Sequence, residues 1–240
     1  NMEPEAAYET FASIKDLPLV DYHDATHFPQ SFRLTVLDVL RGLDRAAKLG
    51  WICPDTFDVS VYKAMHEQST YDVNRVTPKF VAFATPKDKR DQYTMARPPG
   101  KHVPIFKALG VTDVVRLNEA GNYTEAELSH KNGFRYHALE FADCTCPKPE
   151  MVKRFLDLCD ASGDGVVAVH CLAGLGRTGT LIGSHLIKNS GFSAAECIGY
   201  LRLMRPGSVI GPQQHFLEAI EGSLWTGNLP HRPPPLPGNP

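Results

Sequence analysis

The run from Leu34 to Leu49, "LTVLDVLRGLDRAAKL", places Leu34, Leu37, Leu40, Leu43 and Ala47 at helical spacing and is followed by Gly50. It predicts a helix with one buried face and a glycine stop. A shorter helix is predicted from "DVSVYKAMHEQ", with Asp58 as its N-cap. The next stretch, "STYDVNRVTP", is polar, ends in proline and reads as a boundary near residue 76. Beyond it the period changes. "KFVAFA" (79–84), "DVVRL" (113–117) and "GVVAVHC" (165–171) are short apolar runs of the kind that form buried strands, and "FRYHALEF" (134–141) alternates. Helices are predicted over 102–109, 124–132 with Thr124 as cap, 148–160, 178–189, 193–205 and 212–224. Strands alternating with helices predict an α/β fold, a central and mostly parallel sheet flanked by helices.

At 240 residues and 42% hydrophobic, the chain can bury a sizeable core. Its formal net charge of -2 provides no field that would gather it on nucleic acid or an acidic membrane, so neither is expected as a partner. No apolar run approaches the ~20 residues that cross a bilayer, and "NMEPEAAYETF" lacks the parts of a signal peptide. An intracellular protein is expected. The six cysteines are irregularly spaced in a chain large enough to fold without disulfides, so free thiols are expected. Cys144 and Cys146 lack a complementary Cys/His pair, and neither a metal nor another cofactor is expected. Asn1 precedes Met2, which reads as a fragment or a trimmed chain. "TPKDKRDQYTMARPPGK" reads as a solvated connector. "HRPPPLPGNP" reads as an extended proline-rich tail, with docking to a proline-reading partner as the alternative.

Candidate chemistry concentrates in "HCLAGLGRTGT", His170 to Thr180, where Cys171 stands six residues ahead of Arg177. The spacing alone is weak; its context is not. The cysteine ends a predicted buried strand, the arginine opens a helix, and no proline removes a backbone donor between them. The N–H groups of Leu172, Ala173, Gly174, Leu175, Gly176 and Arg177 can turn inward as an anion-binding nest, backed by the positive end of the helix. Arg177 supplies a fork matched to two phosphoryl oxygens. The same field is expected to lower the thiol pKa from ~8.5 toward neutrality, making Cys171 a nucleophile. Thr178 can donate to the sulfur, and His170 is read as orienting the loop. Transfer of phosphorus to sulfur needs an acid for the departing alcohol, and Asp143 in "FADCTCPKP" is the best placed. Gln213 and Gln214, at a helix start, are candidates for orienting the second-step water.

These segments resemble a known family. "VHCLAGLGRTGTLIGSHLIK", "LMRPGSVIGPQQHFLEA", "VVRLNEAGNY", "ALEFAD" and "KFVAFATP" look like the cell-division-cycle-fourteen family of dual-specificity phosphatases, and "YHDATHFPQSFRLTVLDVLRG" and "TFDVSVYKAM" look like its first, non-catalytic domain. The resemblance implies part of a non-catalytic phosphatase-like domain over 1–61, a linker helix over 62–76, a catalytic domain over 77–226 and a tail over 227–240. It implies a hydrolase acting on phosphoserine, phosphothreonine and phosphotyrosine, with proline-directed phosphoserine favoured, in mitotic exit and cytokinesis. It also implies phosphoprotein substrates, and a place in the nucleus or cytoplasm, including cytoskeletal or centrosomal structures. Cys171, Arg177 and Asp143 match the family's nucleophile, clamp and acid. Glu67 and Asp72 match its acidic substrate groove, although the stretch is less acidic here.

Two positions depart from the family. Leu172 stands where lysine is usual, which disfavours inositol phospholipids, and Cys144 stands where glycine is common. The extra thiol raises the expectation of a reversible disulfide between Cys171 and Cys144 or Cys146. Two other readings remain open from sequence: a phosphate-binding module without catalysis, and a lipid or small-molecule phosphatase.

Overall fold

The computed structural model describes residues 2–27, 29–89 and 97–229. In chain order the elements are α1 (Pro4–Ala12), α2 (Val36–Lys48), α3 (Val59–His66), β1 (Val73–Arg75), β2 (Phe80–Ala84), α4 (His102–Ala108), β3 (Val111–Arg116), β4 (Arg135–Ala138), α5 (Pro149–Ala161), β5 (Val166–Cys171), α6 (Gly176–Ser190), α7 (Ala194–Met204) and α8 (Pro212–Thr226). The strands form one sheet in the order β1-β2-β5-β3-β4, parallel throughout except for β1, which runs antiparallel to β2. The expected fold class is the observed one.

Strand alternation divides the core in two. Phe80, Ala82, Val115, Val167, Val169 and Cys171 face the buried sides of α5 to α8. Val81, Phe83, Val114, Val166 and Ala168 face Phe106 of α4, with Met65 of α3 packed at the margin. The site residues therefore leave the sheet at the carboxyl ends of its parallel strands, where open α/β sheets carry their ligands.

The structure corrects several sequence expectations. The linker is not helical over 62–76: the helix ends at His66, and Val73–Arg75 join the sheet as its antiparallel edge. Residues 124–132 form two short 3₁₀ turns, Glu125–Leu128 and His130–Asn132, in place of one helix. Thr124 does not cap them; its N–H and hydroxyl both donate to Asp88. Helix α2 begins with the capping box Thr35–Asp38, but its buried positions are Gly42 and Ala46. Of the predicted stripe, Leu34 lies ahead of the helix and is fully buried, while Leu37, Leu40, Leu43 and Ala47 are only half-buried. Gly42 lies so close to α7 that a Cβ would stand 2.2 Å from the Glu196 carbonyl oxygen, and one on Gly199 would stand 2.8 Å from the Cα of Val39. Two glycines thus let the main chains of α2 and α7 approach. Helix α1 is an addition to the sequence reading. The connector's ends pair as a bridge between Lys87 and Arg97. Its residues 90–96 and the proline-rich stretch 230–240 lie outside the described residues.

Desolvation holds three imidazoles among the described residues neutral: buried His170 is pushed down to about 3, and buried His102 and half-buried His185 to about 4. An unfolded histidine binds its proton near pH 6.5, so the stability these groups lend is present above that pH and is lost as pH falls toward 4. The melting temperature is expected to decline across this window, and a flat profile from pH 7 to 4 would contradict the assignment.

Candidate active site

Strand β5 delivers Cys171 to the sheet's carboxyl rim with 2% of its surface exposed. The chain then bends through Leu172 to Leu175 and enters α6 at Gly176, with Arg177 and Thr178 in the first turn. Gly174 makes the bend feasible. Its φ is +68°, and a Cβ there would lie 2.0 Å from the Phe83 carbonyl oxygen. Gly176 is tightly enclosed too, since a Cβ would meet Gln213 Oε1 at 2.7 Å and Ile210 Cγ1 at 2.9 Å, and both side chains would have to shift. Among the described residues no backbone N–H of residues 172–176 donates a hydrogen bond within the protein. Amides left unpaired in this way are available to an anion, as the glycine spacing predicts.

The Arg177 side chain is fully buried. Nη1 donates to the carbonyl oxygens of Phe141 at 2.8 Å and Leu117 at 3.4 Å, which fixes the fork between the ends of β3 and β4. Nε and Nη2 have no hydrogen-bond partner among the described residues, and neither has the buried Thr178 hydroxyl. Asp143 Oδ1 lies 3.1 Å from Arg177 Nε, an ion-pair distance without hydrogen-bond alignment. Glu119 stands 3.7 Å from Nη1. Buried donors without protein partners, flanked by an acid, suit a phosphoryl group.

Asp143 sits on the loop after β4, half-exposed, and accepts from the Cys144 N–H at 3.0 Å. Cys144 has φ +55°, the left-handed region that favours glycine. Its thiol is pushed up first by burial, then by the Asp143 carboxylate, and it also feels the Cys171 thiol. Burial alone pushes Cys146 up to about 11. All six cysteines are free thiols.

His170 points to the other side of the sheet, with one ring nitrogen 2.9 Å from the Tyr123 hydroxyl and the other 3.2 Å from Thr85 Oγ1. Thr85 in turn donates to the Cys171 carbonyl at 2.6 Å. With both nitrogens engaged, His170 holds the strand end and is not placed to act as a base.

The structure separates the two glutamines. Gln213 stands beside Gly176, its amide donating to the Thr145 carbonyl at 2.9 Å on the loop that carries Asp143 and accepting from the Ile210 N–H at 3.3 Å. Gln214 is turned away and engaged with Arg202 at 2.7 Å and Asp24 at 3.1 Å. Glu67 is exposed at the end of α3, where its carboxylate accepts from the Ser69 N–H. Asp72 corrects the groove expectation: it is 6% exposed and paired with Arg205 and Arg97. Sequence reasoning missed Glu119 and Arg205. Both lay in segments it had quoted, "VVRLNEAGNY" and "LMRPGSVIGPQQ", and a polar residue just past a parallel strand was the available signal for Glu119. Among the described residues no group of three or more His, Cys, Asp or Glu side chains could hold a metal ion. No described helix is long and apolar enough to cross a membrane.

A thiol at the carboxyl end of the central parallel strand, under a loop of free amides closed by a buried arginine, defines the architecture of the cysteine-dependent phosphatases. PTPMT1 has the same fold, with a TM-score of 0.54 at 20% identity over 65% of this chain and 97% of its own. A glycine-to-alanine mutant form of Tk-PTP gives 0.51 at 23% identity over 65% of this chain and 95% of its own.

Sequence relationships narrow the class. The profile of the family described as "Dual specificity protein phosphatase, N-terminal half" matches residues 1–46, and that described as "Polymorphic toxin system, DSP-PTPase phosphatase" matches 91–191. Human dual specificity protein phosphatase CDC14A is 41% identical over 92% of this chain and 37% of its own length. The tyrosine-protein phosphatase CDC14 of Candida albicans is 36% identical over 100% of this chain and 44% of its own, and the Schizosaccharomyces pombe homolog is 37% identical over 90% and 41%. The chain belongs to the CDC14 family of dual specificity phosphatases. It spans less than half the length of these relatives.

Proposed function

We propose that the chain is a metal-independent protein phosphatase acting through a cysteinyl-phosphate intermediate on phosphoproteins, with proline-directed phosphoserine preferred and a role in cell-cycle control. The observation that carries the reading is the fully buried Arg177, whose Nε and Nη2 have no hydrogen-bond partner among the described residues, beside unpaired loop amides at Cys171. Such an array is preorganised for the equatorial oxygens of a phosphoryl group in flight.

In the first step the Cys171 thiolate attacks phosphorus in line, and the P–O bond to the serine, threonine or tyrosine breaks as protonated Asp143 gives its proton to the leaving oxygen. In the second, Asp143 takes a proton from water, the water attacks phosphorus, and the Cys171 thiolate leaves as phosphate is released. Thr178 stabilises the departing sulfur, and Gln213, at the junction of the acid's loop and the phosphate loop, is the glutamine available to position the water. Leu172 is 49% exposed at the mouth. An apolar side chain there offers no extra cation for an inositol headgroup, which favours a peptide.

Phosphate release from a proline-directed phosphoserine peptide, set beside the same peptide without proline and beside an inositol phospholipid, tests the reading. Faster turnover of the lipid would overturn the substrate class, and no release from any of them would overturn the activity. Asp143→Asn is expected to lower kcat on the phosphoserine peptide by about 10²- to 10³-fold, and far less on nitrophenyl phosphate, whose leaving group needs no proton. Equal losses on both substrates would remove Asp143 from the role of acid.

A further inference from the structure

The side chain that the groove expectation misplaced points to a different task. We infer that Asp72 and Arg205 are positioning residues which hold the phosphate loop in its anion-binding form.

Arg205 follows the last turn of α7 and is 1% exposed. Its Nε donates to the Gly174 carbonyl at 2.7 Å, and its Nη2 donates to the Ala173 carbonyl at 2.8 Å and to Asp72 Oδ1 at 2.8 Å. Nη1 reaches Asn74 Oδ1 at 2.8 Å. In a planar trans peptide the C=O of one residue and the N–H of the next point in opposite directions. Drawing the carbonyls of Ala173 and Gly174 toward Arg205 therefore turns the N–H groups of Gly174 and Leu175 to the opposite side, and neither N–H has a protein partner among the described residues. On its other flank Gly174 is stopped by the Phe83 carbonyl. The loop is held between the end of β2 and one guanidinium.

Asp72 holds that guanidinium in place. Its second oxygen takes Arg97 Nη1 at 3.2 Å, and its carbonyl accepts the Ala84 N–H at 3.1 Å. Arg97 also donates to the Gln68 carbonyl at 2.7 Å, so the turn after α3, the base of the charged connector and the phosphate loop all meet at one carboxylate. Asp72 has φ +53°, a backbone strain that persists only where the surroundings over-determine it. Without its charge, two buried guanidiniums would lose the counter-charge they share.

The catalytic consequence rests on the phosphatase reading; the loop geometry does not, and the test is chosen accordingly. Two variants of the full chain, Arg205→Lys and Asp72→Asn, are compared with the unsubstituted chain and with Gly42→Ala. The last variant destabilises the α2–α7 contact without touching the loop. Each is examined for tungstate affinity by calorimetry and for the rate of Cys171 alkylation by iodoacetate relative to neutral iodoacetamide. That ratio reads the loop's preference for an anion with the thiol's own reactivity cancelled.

Lysine keeps the charge but cannot reach two carbonyls and a carboxylate together, so Arg205→Lys is expected to weaken tungstate binding at least about tenfold and to lower the ratio in parallel. Asp72→Asn retains one acceptor and is expected to lose about three- to tenfold, while Gly42→Ala keeps both values at a lower melting temperature. Should Arg205→Lys not fold, Asp72→Asn decides. Folded variants whose affinity and ratio match those of the unsubstituted chain would overturn the inference. Phosphate release by the unsubstituted chain is scored separately: a chain that binds tungstate and releases no phosphate refutes the activity and leaves the loop assignment standing on its own result.

Discussion

Cys171→Ser is expected to abolish phosphate release, by about 10⁴-fold or more, while phosphopeptide binding stays close to that of the unsubstituted chain. The expectation follows from what surrounds the sulfur. A serine hydroxyl would need a base, and the adjacent imidazole, His170, points to the far side of the sheet with both nitrogens engaged. Asp143 faces Arg177 at 3.1 Å, and in the proposed mechanism it serves the leaving group, not the attacker. The proposed phosphate contacts are backbone amides and Arg177, none of which the substitution touches, so ground-state binding is expected to survive. Single-turnover phosphate release and calorimetric peptide binding on the same sample check both halves. Substantial hydrolysis by pure Cys171→Ser protein would end the covalent mechanism.

Arg177→Lys is expected to cost about 10² to 10³ in kcat/KM, the range seen when one preorganised donor to a developing oxyanion is removed. The guanidinium does two things at once here. Nη1 is committed to the carbonyls of Phe141 and Leu117, and Nε and Nη2, which have no hydrogen-bond partner among the described residues, are the proposed fork for the phosphoryl oxygens. A lysine ammonium is a point charge on a flexible stem and can serve one of these sets. If it reaches the phosphate, the Phe141 carbonyl loses its partner; if it stays with the carbonyls, the phosphate loses its fork. A measured loss below tenfold would show that the charge alone suffices and that the fork is dispensable.

The strands that carry the site were legible because burial on both faces writes a continuous apolar run, as in "GVVAVHC", and the loop was legible because glycine spacing and an arginine at a helix start have few other uses. What escaped notice was decided by tertiary packing. Val73–Arg75 is too short and too polar to read as a strand, since its Asn74 side chain is consumed by Arg205 and His66. The 124–132 segment carries helical spacing but breaks at Ser129, whose φ of -129° and ψ of -153° are extended. The leucines of α2 drew attention away from Gly42, because close approach of two main chains leaves no hydrophobic signal. Asp72 looked like a surface acid in a polar linker; only the fold brings Arg97 and Arg205 to it from well-separated parts of the chain. Asp143, the proposed acid, was visible from its place past a strand, whereas Glu119 occupied an equivalent place and was passed over.

Helix α7 has a consequence beyond packing. At its first turn Glu196 caps Ser193 and receives Arg45 from α2, within a ring contact network that joins Trp51 to Phe192 and Tyr200. Just past its last turn Arg205 grips the phosphate loop. Eleven residues of helix make a rod of about 16 Å, pinned at one end to α2 and at the other to the main chain of the proposed phosphate loop. One helix thus buries its first turn against the amino-terminal α2 and ends on the carbonyls that decide which way the loop's amides face.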